Sequence, residues 1–90
     1  MLYMIIESFK HGDPVPVYRR FRDEGRLAPP GLQYVASWVT SDITTCYQLM
    51  ECEDHLLIEQ WIARWSDLAD FEVVPVITSA QAVERIAPRL

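Results

Sequence analysis

The sequence predicts an α+β domain in which helices pack on one face of a four-stranded antiparallel sheet. Two stretches rich in β-branched and aromatic residues flank Thr40, Ser41 and Asp42, as in a β-hairpin. One amphipathic helical segment precedes this hairpin and another follows it. A strand-like segment precedes the first helical segment, and another follows the second. The predicted order is therefore βαββαβ, with a short helix at the C-terminal end.

Composition indicates one soluble domain spanning residues 1–90. The chain of 90 residues is too short for two cores, and 50% hydrophobic with 23% charged residues excludes a disordered protein. No apolar run approaches the ~20 residues that a membrane span needs, and the first residues lack the basic region of a signal peptide. We therefore expect a cytoplasmic protein with no membrane partner.

The net charge of −5 argues against binding to nucleic acid or to an anionic membrane. Basic residues concentrate before residue 31 and acidic residues between 42 and 72. Two solvated helix faces of opposite sign explain this better than a basic rim that attracts an anionic substrate.

The first half of the chain predicts a strand and a helix. Residues 2–9 alternate two sets of side chains of which neither is wholly polar, as expected for a central strand covered on both faces. Asp13 and Pro14 predict a helix start, and Gly25 predicts its end. The first helix is therefore expected over residues 14–24.

The second half predicts a helix, an edge strand and a short final helix. Acidic residues 53 and 54 precede an amphipathic segment whose Trp61 and Trp65 are interpreted as core residues in preference to a stacking platform. Residues 71–77 predict the last strand, which Pro75 confines to a sheet edge because proline cannot donate to a ladder. Ser79 is predicted to cap a helix that ends at Pro88.

This order matches the ferredoxin-like split βαβ arrangement, with strand order 4-1-3-2. Right-handed crossovers place both helices on one face of the sheet and leave the other face uncovered. Polarity predicts that Leu2, Met4 and Ile6 meet the helices. The uncovered face is then expected to carry Tyr3, Ile5, Glu7 and Phe9 with Cys46, Gln48 and Met50 of the third strand and Glu72, Val74 and Val76 of the fourth.

For the second strand, the pattern does not separate Val35 with Ser37 from Tyr34 with Trp38. Either choice leaves a mostly apolar uncovered face, too large to remain in water. We therefore predict a twofold homodimer in which the two sheets stack as an α+β barrel, with a pocket between them.

Three segments resemble a family of small bacterial domains of unknown function: Gly-Arg-Leu-Ala-Pro-Pro-Gly-Leu at 25–32, Cys-Tyr-Gln-Leu-Met-Glu at 46–51, and Trp-Ser-Asp-Leu-Ala-Asp-Phe-Glu-Val-Val-Pro-Val at 65–76. That family is similar to the dimeric α+β barrel superfamily, which includes cofactor-free monooxygenases of aromatic polyketides, haem-degrading monooxygenases, muconolactone isomerases and ligand-binding domains. No histidine lies on a predicted strand, so the haem-ligating arrangement is not expected.

Glu7 and Glu72 are the candidate catalytic residues, since each is an acid inside an apolar strand. If the first and last strands are neighbours, the two carboxyl groups approach, and burial raises the pKa of at least one of them. The alternative is that the two acids lie near strand ends or bond Arg26, Tyr3 or Gln48 as structural pairs. The candidate ligand-binding residues are Gln48, Tyr34, Trp38, Met50 and Arg26.

No metal or cofactor is expected. Cys46, Cys52 and His55 have a spacing that matches no standard zinc pattern, and three scattered glycines cannot build a phosphate-binding loop. The two cysteines lie roughly 20 Å apart along an extended chain, so we expect both to be reduced.

Two hypotheses on function remain. In the first, the dimer binds a small apolar or aromatic molecule and, if it is an enzyme, abstracts a proton or oxygenates without a cofactor. In the second, the dimer is a non-catalytic interaction or ligand-sensing module.

Overall fold

The computed structural model describes residues 1–90 and confirms the predicted α+β class. Its sheet is antiparallel and four-stranded in the order β2-β3-β1-β4, which is the predicted 4-1-3-2 order. The elements are β1 (Leu2–Phe9), α1 (Val15–Glu24), β2 (Gln33–Val39), β3 (Thr45–Glu51), α2 (Leu56–Ala63), β4 (Ala69–Val76) and α3 (Ser79–Ile86), with 3-10 turns at Lys10–Gly12 and Ala87–Arg89.

Each helix begins where a side-chain oxygen accepts a hydrogen bond from a free backbone N–H group. The carboxylate of Asp13 accepts the Val15 N–H at 3.0 Å, and that of Asp54 accepts the Leu56 N–H at 3.0 Å. At α3 the cap is Thr78 and not Ser79, because Thr78 and Gln81 bond each other's backbone amides reciprocally.

A β-bulge in β2 resolves the ambiguity that the sequence left on this strand. Tyr34 pairs with Met50 and Ala36 with Leu49, so Val35 is an extra residue between two ladder positions. The extra residue reverses the alternation, and as a result Tyr34 and Ser37 lie on the helix side of the sheet while Trp38 lies on the other side.

The predicted assignment of the sheet faces was correct for β4, whose Glu72, Val74 and Val76 lie on the uncovered side. It was wrong for β1 and β3, since Cys46, Gln48 and Met50 of β3 are buried on the helix side. Tyr3, Ile5, Glu7 and Phe9 are buried under α1 and α2, whereas Leu2, Met4 and Ile6 of the same strand lie on the uncovered side and are only partly buried. Polarity misled because Glu7 Oε1 accepts a hydrogen bond from Gln48 beneath the helices, which offsets part of the cost of burying this carboxyl group.

The uncovered side of the sheet, which we call the open face, is largely apolar. It follows from the register that one row across it joins Trp38, Tyr47, Ile6 and Glu72. The open face consists of Leu2, Met4, Ile6, Ala36, Trp38, Tyr47, Leu49, Glu72, Val74 and Val76.

The core lies between the sheet and the first two helices. Ile5 and Met50 from the sheet and Ile58 and Trp61 from α2 are its most deeply buried side chains. Pro75 lies on β4, which has a single neighbour, as predicted for an edge strand. No helix is long and apolar enough to cross a membrane.

Paired alanine substitutions test the face assignment. Ile5 is fully enclosed, so Ile5→Ala is expected to lower the free energy of unfolding by about 2–4 kcal/mol, the usual cost of a core cavity. Ile6→Ala makes the same chemical change on the open face and is expected to cost about 1 kcal/mol or less. Urea denaturation at a protein concentration that keeps the chain monomeric gives both values, and equal losses would contradict the assignment.

Candidate functional site

The candidate site is a pocket between the helix side of the sheet and helices α1 and α2. Its walls are mostly apolar, and three polar side chains, those of Glu7, Gln48 and Arg26, converge on it. The remaining lining residues are Phe9, Val17, Tyr18, Phe21, Ser37, Val39, Cys46, Trp61 and Trp65. This pocket therefore lies within one protomer, whereas the predicted pocket lies between the stacked sheets of two protomers.

The loop before β2 is fixed over the pocket by two tryptophans of the second helical segment. The indole N–H groups of Trp61 and Trp65 both donate to the backbone carbonyl of Arg26, at 2.9 Å and 3.0 Å. The Arg64 guanidinium donates to the next carbonyl, that of Leu27, at 2.5 Å. Three donors on two successive carbonyls hold the Arg26 backbone in one place, so its side chain enters the pocket from a defined point.

The Arg26 guanidinium is also held by aromatic rings. Its central carbon lies 3.8 Å from the centre of the Tyr34 ring and 5.3 Å from that of Phe21, both within cation–π range. The Tyr34 hydroxyl is 2.8 Å from the Ser37 hydroxyl, which keeps the Tyr34 ring in position. The cation is therefore confined to the rim of the pocket.

Arg26, Gln48 and Glu7 form a hydrogen-bonded chain that runs from the rim into the protein. The Arg26 guanidinium donates to Gln48 Oε1, and Gln48 Nε2 donates to Glu7 Oε1 at 2.5 Å. Because arginine has no acceptor, the amide oxygen of Gln48 must face it and the amide nitrogen must face Glu7. Glu7 Oε2 makes no hydrogen bond to the protein, so this oxygen is the one that can hold a proton or accept one from a ligand.

Burial makes Glu7 an acid that titrates near neutrality. Its residue is only 6% exposed, and desolvation raises the pKa of its carboxyl from 4.5 to about 7. The hydrogen bond from Gln48 and the positive charge of Arg26 both favour the carboxylate and lower the pKa, but burial outweighs them. Both protonation states of Glu7 are therefore populated around pH 7, which suits a group that exchanges protons.

Two further groups at the pocket, Cys46 and Tyr18, hold their protons more tightly than usual. Burial and the neighbouring Glu7 raise the pKa of the Cys46 thiol to about 11, and burial, Cys46 and Glu7 raise the pKa of the Tyr18 hydroxyl. Since the thiolate is the nucleophilic form of cysteine, Cys46 is unsuited to covalent chemistry here. No group of three or more His, Cys, Asp or Glu side chains could hold a metal ion.

The pocket has a volume of about 130 Å³. A dry cavity of roughly 150 Å³ holds one benzene molecule, so the enclosed space suits about one ring. Tyr18, Phe21 and Val39 line the pocket but are themselves more than a third exposed, so the pocket is open on that side and a larger ligand can extend past them.

Four of the candidate residues lie elsewhere. Glu72 is exposed on the open face, where it pairs with Ile6, whereas Glu7 pairs with Phe71, so the two acids project from opposite faces and do not meet. Trp38 is also on the open face and is 56% exposed. Met50 is fully buried in the core, and Tyr34 contacts Arg26 but does not line the pocket.

Sequence reasoning missed the helix side of the pocket. Tyr18 and Phe21 were recognised only as the apolar face of α1, and the two tryptophans only as core residues, which they also are, at 2% and 5% exposure. A signal was available for the tryptophans, since a buried indole N–H requires an acceptor, and the nearby loop of residues 26–31 offers backbone carbonyls.

One family model, described as a domain of unknown function (DUF3303), matches the chain over residues 1–90. No curated protein and no solved structure matches the chain.

The pKa of Glu7 predicts how stability depends on pH. The folded state keeps its proton up to about pH 7 and the unfolded state loses it near 4.5, so folding takes up a proton between these values and stability falls as pH rises. The decline is expected to reach about 3 kcal/mol and to level off above pH 7–8. Glu7→Gln keeps an acceptor for Gln48 but cannot titrate, so its free energy of unfolding should lack this decline.

Urea denaturation between pH 4.5 and 8.5 measures the effect. Glu72→Gln is the matched control, because it removes an exposed strand carboxylate from the opposite face and should retain the wild-type decline. Parallel curves for the wild type and Glu7→Gln would show that Glu7 does not titrate abnormally.

Proposed function

Since the chain belongs to the DUF3303 family of domains of unknown function, we propose a function from the pocket itself: it binds a small aromatic molecule that carries a hydroxyl group, and Glu7 accepts the hydroxyl proton. The observation that carries this proposal is a buried acid with a pKa of about 7 whose Oε2 makes no hydrogen bond to the protein, at the end of an apolar pocket.

The walls support the choice of an aromatic ligand. Phe9, Phe21, Trp61 and Trp65 contribute ring surface, and the volume suits one ring. Ligand sites of this type combine an apolar lining with a few placed polar groups, and Glu7, Gln48, Arg26 and Ser37 are the polar groups here.

The polar end supports proton transfer. When Glu7 is ionised, its Oε2 accepts a hydrogen bond from the ligand hydroxyl, and transfer of that proton gives a neutral Glu7 and a negatively charged ring oxygen. Arg26 is the cation that offsets this charge, and Gln48 keeps it linked to Glu7. An ionised ring is the electron-rich species that cofactor-free oxygenation by molecular oxygen requires, and the chain resembles a superfamily that includes such monooxygenases.

The open face favours a second role, self-association. Trp38 is 56% exposed and Tyr47 39% exposed, and they adjoin Ile6, Met4 and Leu49 in one apolar surface. Exposed apolar areas of this kind mark protein interfaces, and stacking on the same face of a second copy gives a closed twofold dimer. This role is independent of the pocket, which opens on the other side of the sheet.

Phenol is the first ligand to test, since it is one ring with one hydroxyl. We expect it to bind with a Kd near 1 mM, which corresponds to about −4 kcal/mol, and to shift the amide resonances of residues 7, 46 and 48 in NMR titrations. Because a carboxylate accepts more strongly than a carboxylic acid, affinity for phenol should rise as pH increases through 7.

Glu7→Gln is expected to weaken phenol binding about 3- to 10-fold at pH 8, because the amide oxygen still accepts the hydrogen bond but without the charge, a difference of about 1 kcal/mol. Toluene, which lacks the hydroxyl, is the matched ligand and should bind both variants equally; Glu72→Gln is the matched variant and should leave both ligands unaffected. Phenol binding that is insensitive to Glu7→Gln and to pH would remove Glu7 from the proposal. An absence of shifts at pocket residues would remove the pocket itself.

Sedimentation velocity tests self-association. The wild type is expected to form dimers, and Tyr47→Lys, which places a charge at the centre of the open face, is expected to raise the dimer dissociation constant at least about 10-fold. Gln60→Lys adds the same charge on the exposed side of α2 and should not change it. Equal dissociation constants for the two variants would exclude the open face as the interface.

A further inference from the structure

The C-terminal helix α3 packs on nothing in its own chain. Every residue from 77 to 90 is exposed, whereas α1 buries Val17 and α2 buries Ile58 and Trp61. The apolar side chains of this segment are among the most exposed in the protein, with Val83 at 65% and Leu90 at 95%. We call residues 77–90 the arm.

A helix this short is not stable without a surface to pack on. The α3 helix has 8 residues, and isolated helices below about 12–15 residues are marginal in water. The capping box at Thr78 and Gln81 favours the helix start but does not offset the entropy lost when the whole segment is ordered. The helical arm therefore needs a partner surface.

The arm offers an apolar groove with a basic border. Ile77, Val83 and Ile86 line this groove together with Ala82, and Arg85 and Arg89 lie along it. Glu84 is not among the residues of the groove, because it lies on the far side of α3.

We propose that the open faces of two copies stack and that the arm of each protomer packs beside this contact, along the acidic edge strand β4 of the other copy, so that the sheet and the arm together form one interface. This inference rests on the self-association proposed above, and it adds the arm to the dimer interface. The open face and the arm are both apolar and exposed, and the arm follows directly from Val76 at the end of the open face.

The arm adds to the surface that a dimer can bury. Strands about 4.8 Å apart and residues about 3.4 Å apart give the four-stranded face a footprint of roughly 20 by 25 Å. An arm that packs alongside this footprint enlarges the interface toward the roughly 800 Å² of accessible surface that a stable complex buries on each partner.

Charge supports a second copy as the occupant. The open side of β4 carries Asp70 and Glu72, and both carboxylates are exposed. The arm carries Arg85 and Arg89 against the single acid Glu84. The dimer therefore brings the basic arm of one copy to the acidic edge strand of the other. The basic arm favours this acidic surface over a partner surface that is itself basic.

The test compares two arm variants of the full chain by sedimentation velocity. Val83→Lys adds one positive charge within the groove, and Glu84→Gln changes the net charge by the same amount on the far side of the helix. We expect Val83→Lys to raise the dimer dissociation constant at least 10-fold and Glu84→Gln to leave it within 2-fold of the wild type. Since Val83 is 65% exposed in the protomer, the fold should tolerate the lysine.

The outcomes separate this inference from the proposals it follows. A wild-type dimer whose dissociation constant is the same in Val83→Lys overturns the arm and leaves the open face standing. A wild type that is monomeric at all concentrations overturns both, and phenol binding then still tests the pocket by itself.

Hydrogen exchange gives a second, independent measurement on the unmodified protein. We expect the amides of residues 82–90 to be protected at concentrations where the dimer forms and to lose protection on dilution, together with amides near the open face. Arm amides that exchange at the unprotected rate within the dimer would overturn the inference.

Discussion

The backbone carbonyl of Arg26 is the point on which the candidate site depends. It accepts the indole N–H groups of Trp61 and Trp65, and thereby joins the loop before β2 to the helical segment that covers the sheet. Because this carbonyl is fixed, the guanidinium reaches Gln48, and Gln48 in turn holds Glu7 by one oxygen and leaves the other free. The same two indoles fill the core, so the packing that stabilises the domain also positions the cation of the pocket.

The sheet separates two environments that require different chemistry. On the helix side, Glu7 and Gln48 are polar groups with partners, and the low dielectric that raises the pKa of Glu7 is tolerable because Gln48 and Arg26 limit the penalty. On the open side, the row from Trp38 to Glu72 has no partner within the protomer. Successive side chains of β1 point to opposite faces of the sheet, so the neighbouring residues Ile6 and Glu7 lie in different environments.

The sequence predicted the elements well and their orientation poorly. The strand and helix periodicities located every main element, and the edge position of β4 followed from the missing amide of Pro75. A bond from Glu7 to Gln48 or Arg26 was one of the alternatives that the sequence left open. The order of the three residues in one chain from the rim inward was not predicted, because its hydrogen bonds join residues 22 and 41 positions apart. The bulge at Val35 has no local signal in the sequence, and it alone decides that Tyr34 and Trp38 lie on opposite faces.

By itself, therefore, the sequence determined the fold class, the strand order and the presence of one uncovered sheet face, because these follow from periodicity, turn residues and the handedness of crossovers. Only the tertiary structure decided which side chains lie under the helices. Both sets on β1 are apolar enough to be buried, so polarity could not choose between them, and the choice depends on which set finds hydrogen-bond partners. Glu7 accepts a hydrogen bond from Gln48, which in turn accepts one from Arg26. Glu72 lies on the edge strand, where its carboxylate is exposed to solvent.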